Sequence, residues 1–154
     1  MTQDIILFYH PTGYYGSFSN WYPCKFTYLD ITYTSTEQYM MYQKAILFHD
    51  YETAEQILKE TDLGKIKRLG RQVKNCDDDR WALARRQVVK RSVKAKFIQN
   101  THSQEILEYL LLRKYYLNNV NINEEVLLQD IQKLNFVMDS GHHLNLSIQM
   151  QNHY

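Results

Sequence analysis

Only two cysteines, Cys24 and Cys76, occur in 154 residues. They give neither a metal-ligand spacing nor a disulfide framework, which points to a reducing, cytoplasmic protein. Residues Met1 to Asp4 carry no basic stretch ahead of a long apolar run, so no secretory leader is read there. No apolar stretch is long enough to span a membrane, and no membrane partner is expected. A surplus of one charge is also lacking: 18 Lys and Arg against 17 Asp and Glu leave +1. That balance alone names no partner. His142-His143 and His153 lack a ligand spacing that would hold a metal.

Apolar side chains are present in quantity. Hydrophobic residues make up 44% and aromatic residues 14%, thirteen of them tyrosine. A chain of this length and composition forms one domain around a single core. Thr34 to Phe48 is free of Gly and Pro and rich in helix formers. Thr34 followed by Glu37 has the capping-box spacing, so a helix is expected to start there. At 100° per residue, Glu37, Met41, Lys44 and Phe48 fall on one line, while Tyr39, Tyr42 and Ile46 make the opposite side apolar too. Such a helix is buried, and a charge within it needs a partner or a task. Two readings of Glu37 stand: the reciprocal half of the cap, or a site carboxylate. Lys44 is either a stem packed on apolar neighbours or a second site group, roughly 10 Å from Glu37 along the axis.

The elements around this helix follow in order. Ile5 to Tyr9 reads as a strand and His10-Pro11-Thr12-Gly13 as a turn. Phe18-Ser19-Asn20-Trp21-Tyr22-Pro23 reads as a loop anchored by aromatic residues or as a ligand edge, with Ser19 and Asn20 offering hydrogen bonds and Trp21 a stacking face. Phe26, Tyr28, Ile31 and Tyr33 alternate as a hairpin turning at Leu29-Asp30. Further helices are expected over Tyr51 to Lys59, from Thr61-Asp62 to Leu69, over Arg80 to Gln99 behind Asp77-Asp78-Asp79, and over Ser103 to Leu112. Gly70 reads as a C-cap in the left-handed region, or as a close approach of backbone to ligand. Helical spacing persists weakly over Glu124 to Leu134, and Ser140 to Tyr154 has the composition of a poorly ordered tail.

Twelve of the eighteen Lys and Arg fall between Lys65 and Lys96, where three aspartates oppose them. A solvated helix face is the usual meaning of such a run. The positive potential also suits a phosphorylated or nucleotide-like ligand. Nothing resembles a duplex-recognition motif.

Five motifs in order resemble the NADAR (YbiA-like) family: Phe18-Ser19-Asn20-Trp21-Tyr22-Pro23, then Tyr33 to Ala45, then Lys67-Arg68-Leu69-Gly70-Arg71-Gln72-Val73, then Trp81, then Ala95-Lys96-Phe97-Ile98-Gln99-Asn100. The match covers about residues 5–112. The division implied is a NADAR-like domain over 1–112 and a divergent segment over 113–154. The resemblance implies an α+β fold, mostly helical with a small N-terminal β-sheet. It implies N-glycosidase chemistry without a cofactor, on phosphorylated riboflavin-pathway intermediates or on ADP-ribosylated guanine in nucleic acid. Glu37 falls on the family's acidic position and Lys44 on the Lys of the same helix. Tyr39 falls on the motif Tyr, and Gln38 replaces the usual His. Asn20 lies in the Phe-Ser-Asn motif, Gly70 and Arg71 form the Gly-Arg motif, and Trp81 is the Trp after it. Family members continue with Leu-Val-Glu, an Asp and a Trp-Gly-x-Gly segment. None of these is read from Arg113 to Tyr154.

Cleaving an N-glycosidic bond develops positive charge at the anomeric carbon and negative charge on the base. The resemblance therefore implies Glu37 as the carboxylate and Arg71 at the phosphate. Trp21 or Trp81 would stack, and Ser19 and Asn20 would position the ribose or base. Lys44 would donate to the base, orient Glu37 or attack an opened sugar. Two other classes stay open: a module that holds ADP-ribose without hydrolysis, and a nucleic-acid binder using the Lys65–Lys96 region.

Overall fold

The computed structural model describes residues 11–13 and 15–117, the last seven by backbone alone. The strand expected at Ile5 to Tyr9 and the readings beyond 117 lie outside the described residues. Strands β1 (Phe26–Tyr28) and β2 (Ile31–Tyr33) pair antiparallel, with Phe26 opposite Tyr33 and Thr27 opposite Thr32. Leu29 and Asp30 turn the hairpin with φ of 47° and 61°, the two-residue geometry that matches strand twist. The pleat puts Phe26 and Tyr33 inward and the threonines outward.

Five helices follow: α1 (Thr36–Leu47), α2 (Tyr51–Lys59), α3 (Leu63–Arg71), α4 (Asp78–Gln99) and α5 (Thr101–Leu117). The first four begin alike. Ser35, Asp50, Asp62 and Asp77 each accept the backbone N–H three residues on, from Gln38, Thr53, Lys65 and Arg80. Each thereby satisfies a donor that the helix leaves unpaired.

Two expectations need correction. The cap of α1 is Ser35, not Thr34, and its reciprocal partner is Gln38, not Glu37: Gln38 Oε1 accepts Thr34 N–H at 2.7 Å. The Gln38 amide then donates to the Ile57 and Glu60 carbonyls, both at 3.0 Å. One side chain so ties the start of α1 to the end of α2. Gly70 is not a left-handed cap. It lies inside α3, and none of the positive-φ residues among those described is a glycine.

The helix α1 is the hub, with α2, α3 and α4 all packed on it. Phe26, Tyr33, Tyr39, Ala45, Ile57, Ile66 and Trp81 belong to the main core. A second cluster of Phe18, Val89, Val93, Phe97, Ile106 and Leu107 joins the aromatic loop to α4 and α5. Gln99 pairs with the exposed backbone of Thr27, accepting its N–H at 2.8 Å and donating to its carbonyl at 2.9 Å. That fixes the end of α4 on the hairpin.

Candidate active site

Displacing the cap by one residue leaves the Glu37 carboxylate without a structural duty at the helix start. It is nonetheless 4% exposed. Burial pushes its pKa above the ordinary value. The Lys67 ammonium opposes this most, followed by the Trp21 side chain and then by Arg71. The competition has a plain cause: desolvation disfavours the charged form, while nearby cations and donors favour it.

Each partner is placed by local structure. Lys67 and Arg71 stand one turn apart on α3 and so share a face. Between them Gly70 meets α1 at Met41, close enough that a Cβ there would overlap the Met41 side chain. Its lack of a side chain is what lets α3 approach. Trp21 lies under Lys67, whose Nζ is 5.3 Å from the ring centroid. The backbone does the rest: Trp21 N–H donates to Ser19 Oγ at 3.2 Å, and Glu37 N–H donates to the Asn20 carbonyl at 3.0 Å. Asn20 Oδ1 and Thr36 Oγ1 are buried here without a hydrogen-bond partner.

Of the residues expected at the site, Glu37, Trp21 and Arg71 therefore come together, with Ser19 and Asn20 beneath them and Gly70 behind. Lys44 and Trp81 form a second group two turns along α1, with Lys44 Nζ 5.9 Å from the Trp81 centroid. Tyr39 joins neither group. It is sealed at 0% exposure, edge-on to Tyr28 and Tyr33. Arg91 lies beside its hydroxyl but outside hydrogen-bonding geometry. An open cleft of roughly 460 Å³ lies elsewhere, between α2 and α3, lined by Gln56, Lys59, Glu60, Lys65, Arg68, Leu69 and Gln72. It uses a different face of α3 from Lys67 and Arg71.

Sequence reasoning placed Lys67 and Lys96 in the basic run and in two of the family motifs, but gave neither a role at the site. The signal for Lys67 was its four-residue spacing from Arg71. Lys96 is 0% exposed, and its Nζ donates to the Ser19 carbonyl at 3.2 Å. Its signal was a place on the α4 line of Val89, Ser92 and Val93. Among the described residues no cluster of His, Cys, Asp and Glu could hold a metal, and no helix is long and apolar enough to cross a membrane.

A hub helix carrying a buried carboxylate, ringed by an indole and two cations and fronted by a small hairpin, defines the class. The chain belongs to the NADAR domain family, whose model matches residues 7–113. It is similar to Protein irg-1 of Caenorhabditis elegans, at 36% identity over 122 residues covering 69% of this chain and 56% of that protein. An N-glycosidase of Acanthamoeba polyphaga mimivirus is 35% identical over 109 residues, covering 65% of this chain and 64% of that one. A riboflavin biosynthesis protein of Vibrio vulnificus is 33% identical over 99 residues, covering 64% of this chain and 26% of that one. The solved structure of Escherichia coli YbiA matches with a TM-score of 0.59 at 28% identity, covering 70% of this chain and 62% of that one. The chain thus spans from about a quarter to under two thirds of the length of these curated relatives.

Proposed function

We propose that this protein hydrolyses the N-glycosidic bond of a ribosylated, phosphorylated base, with Glu37 as the catalytic carboxylate. One observation carries the reading: a buried carboxylate that no helix cap uses, faced by an indole and two cations. The names of the mimivirus and Vibrio relatives support the same chemistry. In the reaction the C–N bond breaks as water adds to the anomeric carbon. Glu37 stabilises the cationic carbon or takes the water's proton, and the leaving nitrogen receives a proton. Lys67 and Arg71 hold the phosphate, Arg71 through a forked donor set. Trp21 offers the base a face, and Ser19 and Asn20 position the sugar. In this reading Lys44, backed by Trp81, donates to the leaving base, orients Glu37 or attacks an opened sugar. Tyr39 stiffens α1 from behind.

The substrate classes are a small riboflavin-pathway intermediate and ADP-ribosylated guanine. The test is turnover of a 5′-phosphorylated N-riboside and of ADP-ribosylated guanosine by the parent and by Glu37→Gln. Loss of a general base or of charge stabilisation costs on the order of 100-fold or more in kcat. Equal rates for the two proteins would overturn the assignment. The absence of Trp-Gly-x-Gly after Leu112 favours a second reading, a module that binds ADP-ribose without cleaving it. Calorimetric binding of ADP-ribose by a parent that turns over neither substrate would select it.

A further inference from the structure

Among the described residues Lys96 is the most deeply buried charged side chain, at 0% exposure against 4% for Glu37 and 5% for Asp50. Its Nζ donates to the Ser19 carbonyl at 3.2 Å and sits 5.1 Å from the Phe97 ring centroid. Ser19 is the pivot of the aromatic loop. Its hydroxyl accepts Trp21 N–H, and the next carbonyl, of Asn20, accepts Glu37 N–H. Phe18 packs on Phe97 at 5.4 Å between centroids, so loop and helix meet on both sides of this bond. At the far end, Asn100 accepts no freedom either: its amide donates to the Lys96 and Lys25 carbonyls at 2.9 and 3.1 Å.

We propose that Lys96 is a positioning residue for the Glu37 site: its ammonium, through the Ser19 carbonyl, holds the turn that sets Trp21 against the carboxyl. A buried ammonium is costly. The arrangement gives the cost a use, because a charged donor makes a stronger bond than a neutral one. Burial also brings the Lys96 pKa down to about 8, against a small opposing pull from Cys24. Among the described residues Cys24 is the ionisable group that acts on it, and burial pushes the Cys24 thiol upward from 9.0. Raising the pH through about 8 therefore discharges Lys96 first and loosens the turn under Trp21.

This inference rests on the glycosidase reading for its importance, but its test does not need turnover. The chain has two tryptophans, so Trp81→Phe leaves Trp21 as the sole indole. Its emission is followed from pH 6.5 to 9.5. The expected result is one step centred near pH 8 in the parent background, absent from both Lys96→Met and Lys96→Arg, since arginine stays charged throughout. The step should survive Cys24→Ser. A flat parent titration, a step that persists in Lys96→Arg, or one that vanishes in Cys24→Ser would overturn the proposal. If Lys96→Met fails to fold, the parent, Lys96→Arg and Cys24→Ser still decide. With an active parent on the unmodified Trp81 background, Lys96→Met should lower kcat about 10-fold with KM little changed, and Lys96→Arg should recover much of it. A parent without turnover sinks the glycosidase reading and leaves the emission result standing.

Discussion

Gly70 of α3 lies flat against Met41 of α1: a Cβ on the glycine would come within 3.1 Å of Met41 Cβ and 2.7 Å of its Cγ. The sulfur can swing aside, but the Met41 Cβ is fixed by the helix. Gly70→Ala is therefore expected to destabilise the protein by about 1–3 kcal/mol, the usual cost of overpacking a filled interface. It should also lift Lys67 and Arg71 away from Glu37. The check is a double-mutant cycle in urea. Met41→Ala alone costs about 2–5 kcal/mol, and the double variant should lose clearly less than the sum of the two. Simple additivity would show that the two residues do not touch as described.

Gly70 also shows where sequence reasoning stops. A glycine after the last periodic residue of a helix looks like a C-cap, and only the neighbouring helix reveals that the missing side chain, not the backbone angle, matters. The α1 cap is ambiguous for a similar reason. Thr34 with Glu37 and Ser35 with Gln38 are the same pattern one residue apart, and the choice is made by α2, whose final carbonyls reach Gln38. By contrast the hairpin, the five helices and the burial of Glu37 were legible, because alternation, helical spacing and acidic caps are local signals. Burial of Lys96 was hidden inside a charge run whose other members, the half-buried Lys67 apart, face water. Tyr39 illustrates the limit of a motif: the family pattern marks it, and the packing puts it in the core.

Gln38 satisfies the Thr34 backbone and hydroxyl with its oxygen, and the Ile57 and Glu60 carbonyls at the end of α2 with its two N–H groups, the Leu58 carbonyl lying at 3.4 Å. Truncating it strands several buried polar groups at once, each worth about 1–3 kcal/mol when left unpaired. Gln38→Ala is expected to cost about 2–4 kcal/mol. Gln38→His, which restores the usual residue of the family motif, keeps one donor and one acceptor and should fall between the two proteins. Chemical denaturation of the three proteins measures this. An unchanged midpoint for Gln38→Ala would mean that the clamp carries no stability.

Glu37 makes the opposite prediction, that removing a charge of the site strengthens the fold. Its carboxyl is held above the ordinary carboxylate value by burial, against Lys67, Trp21 and Arg71. Between the unfolded and folded values the native state carries more protons than the unfolded chain, so stability falls as pH rises across that window. Above the folded value the loss is complete. Glu37→Gln has nothing to ionise. It should be more stable than the parent at neutral pH, and the difference should shrink as pH falls toward the ordinary carboxyl value of 4.5, where half of the unfolded carboxyls are already protonated. Lys67→Met deletes the strongest opposing cation and should move the carboxyl further up, shifting the acid limb of kcat/KM to higher pH. Urea midpoints of the parent and Glu37→Gln from pH 4.5 to 8 test the first point. A Glu37→Gln protein no more stable than the parent anywhere in that range would mean that the carboxylate is comfortably solvated, and the site built around it would have no basis.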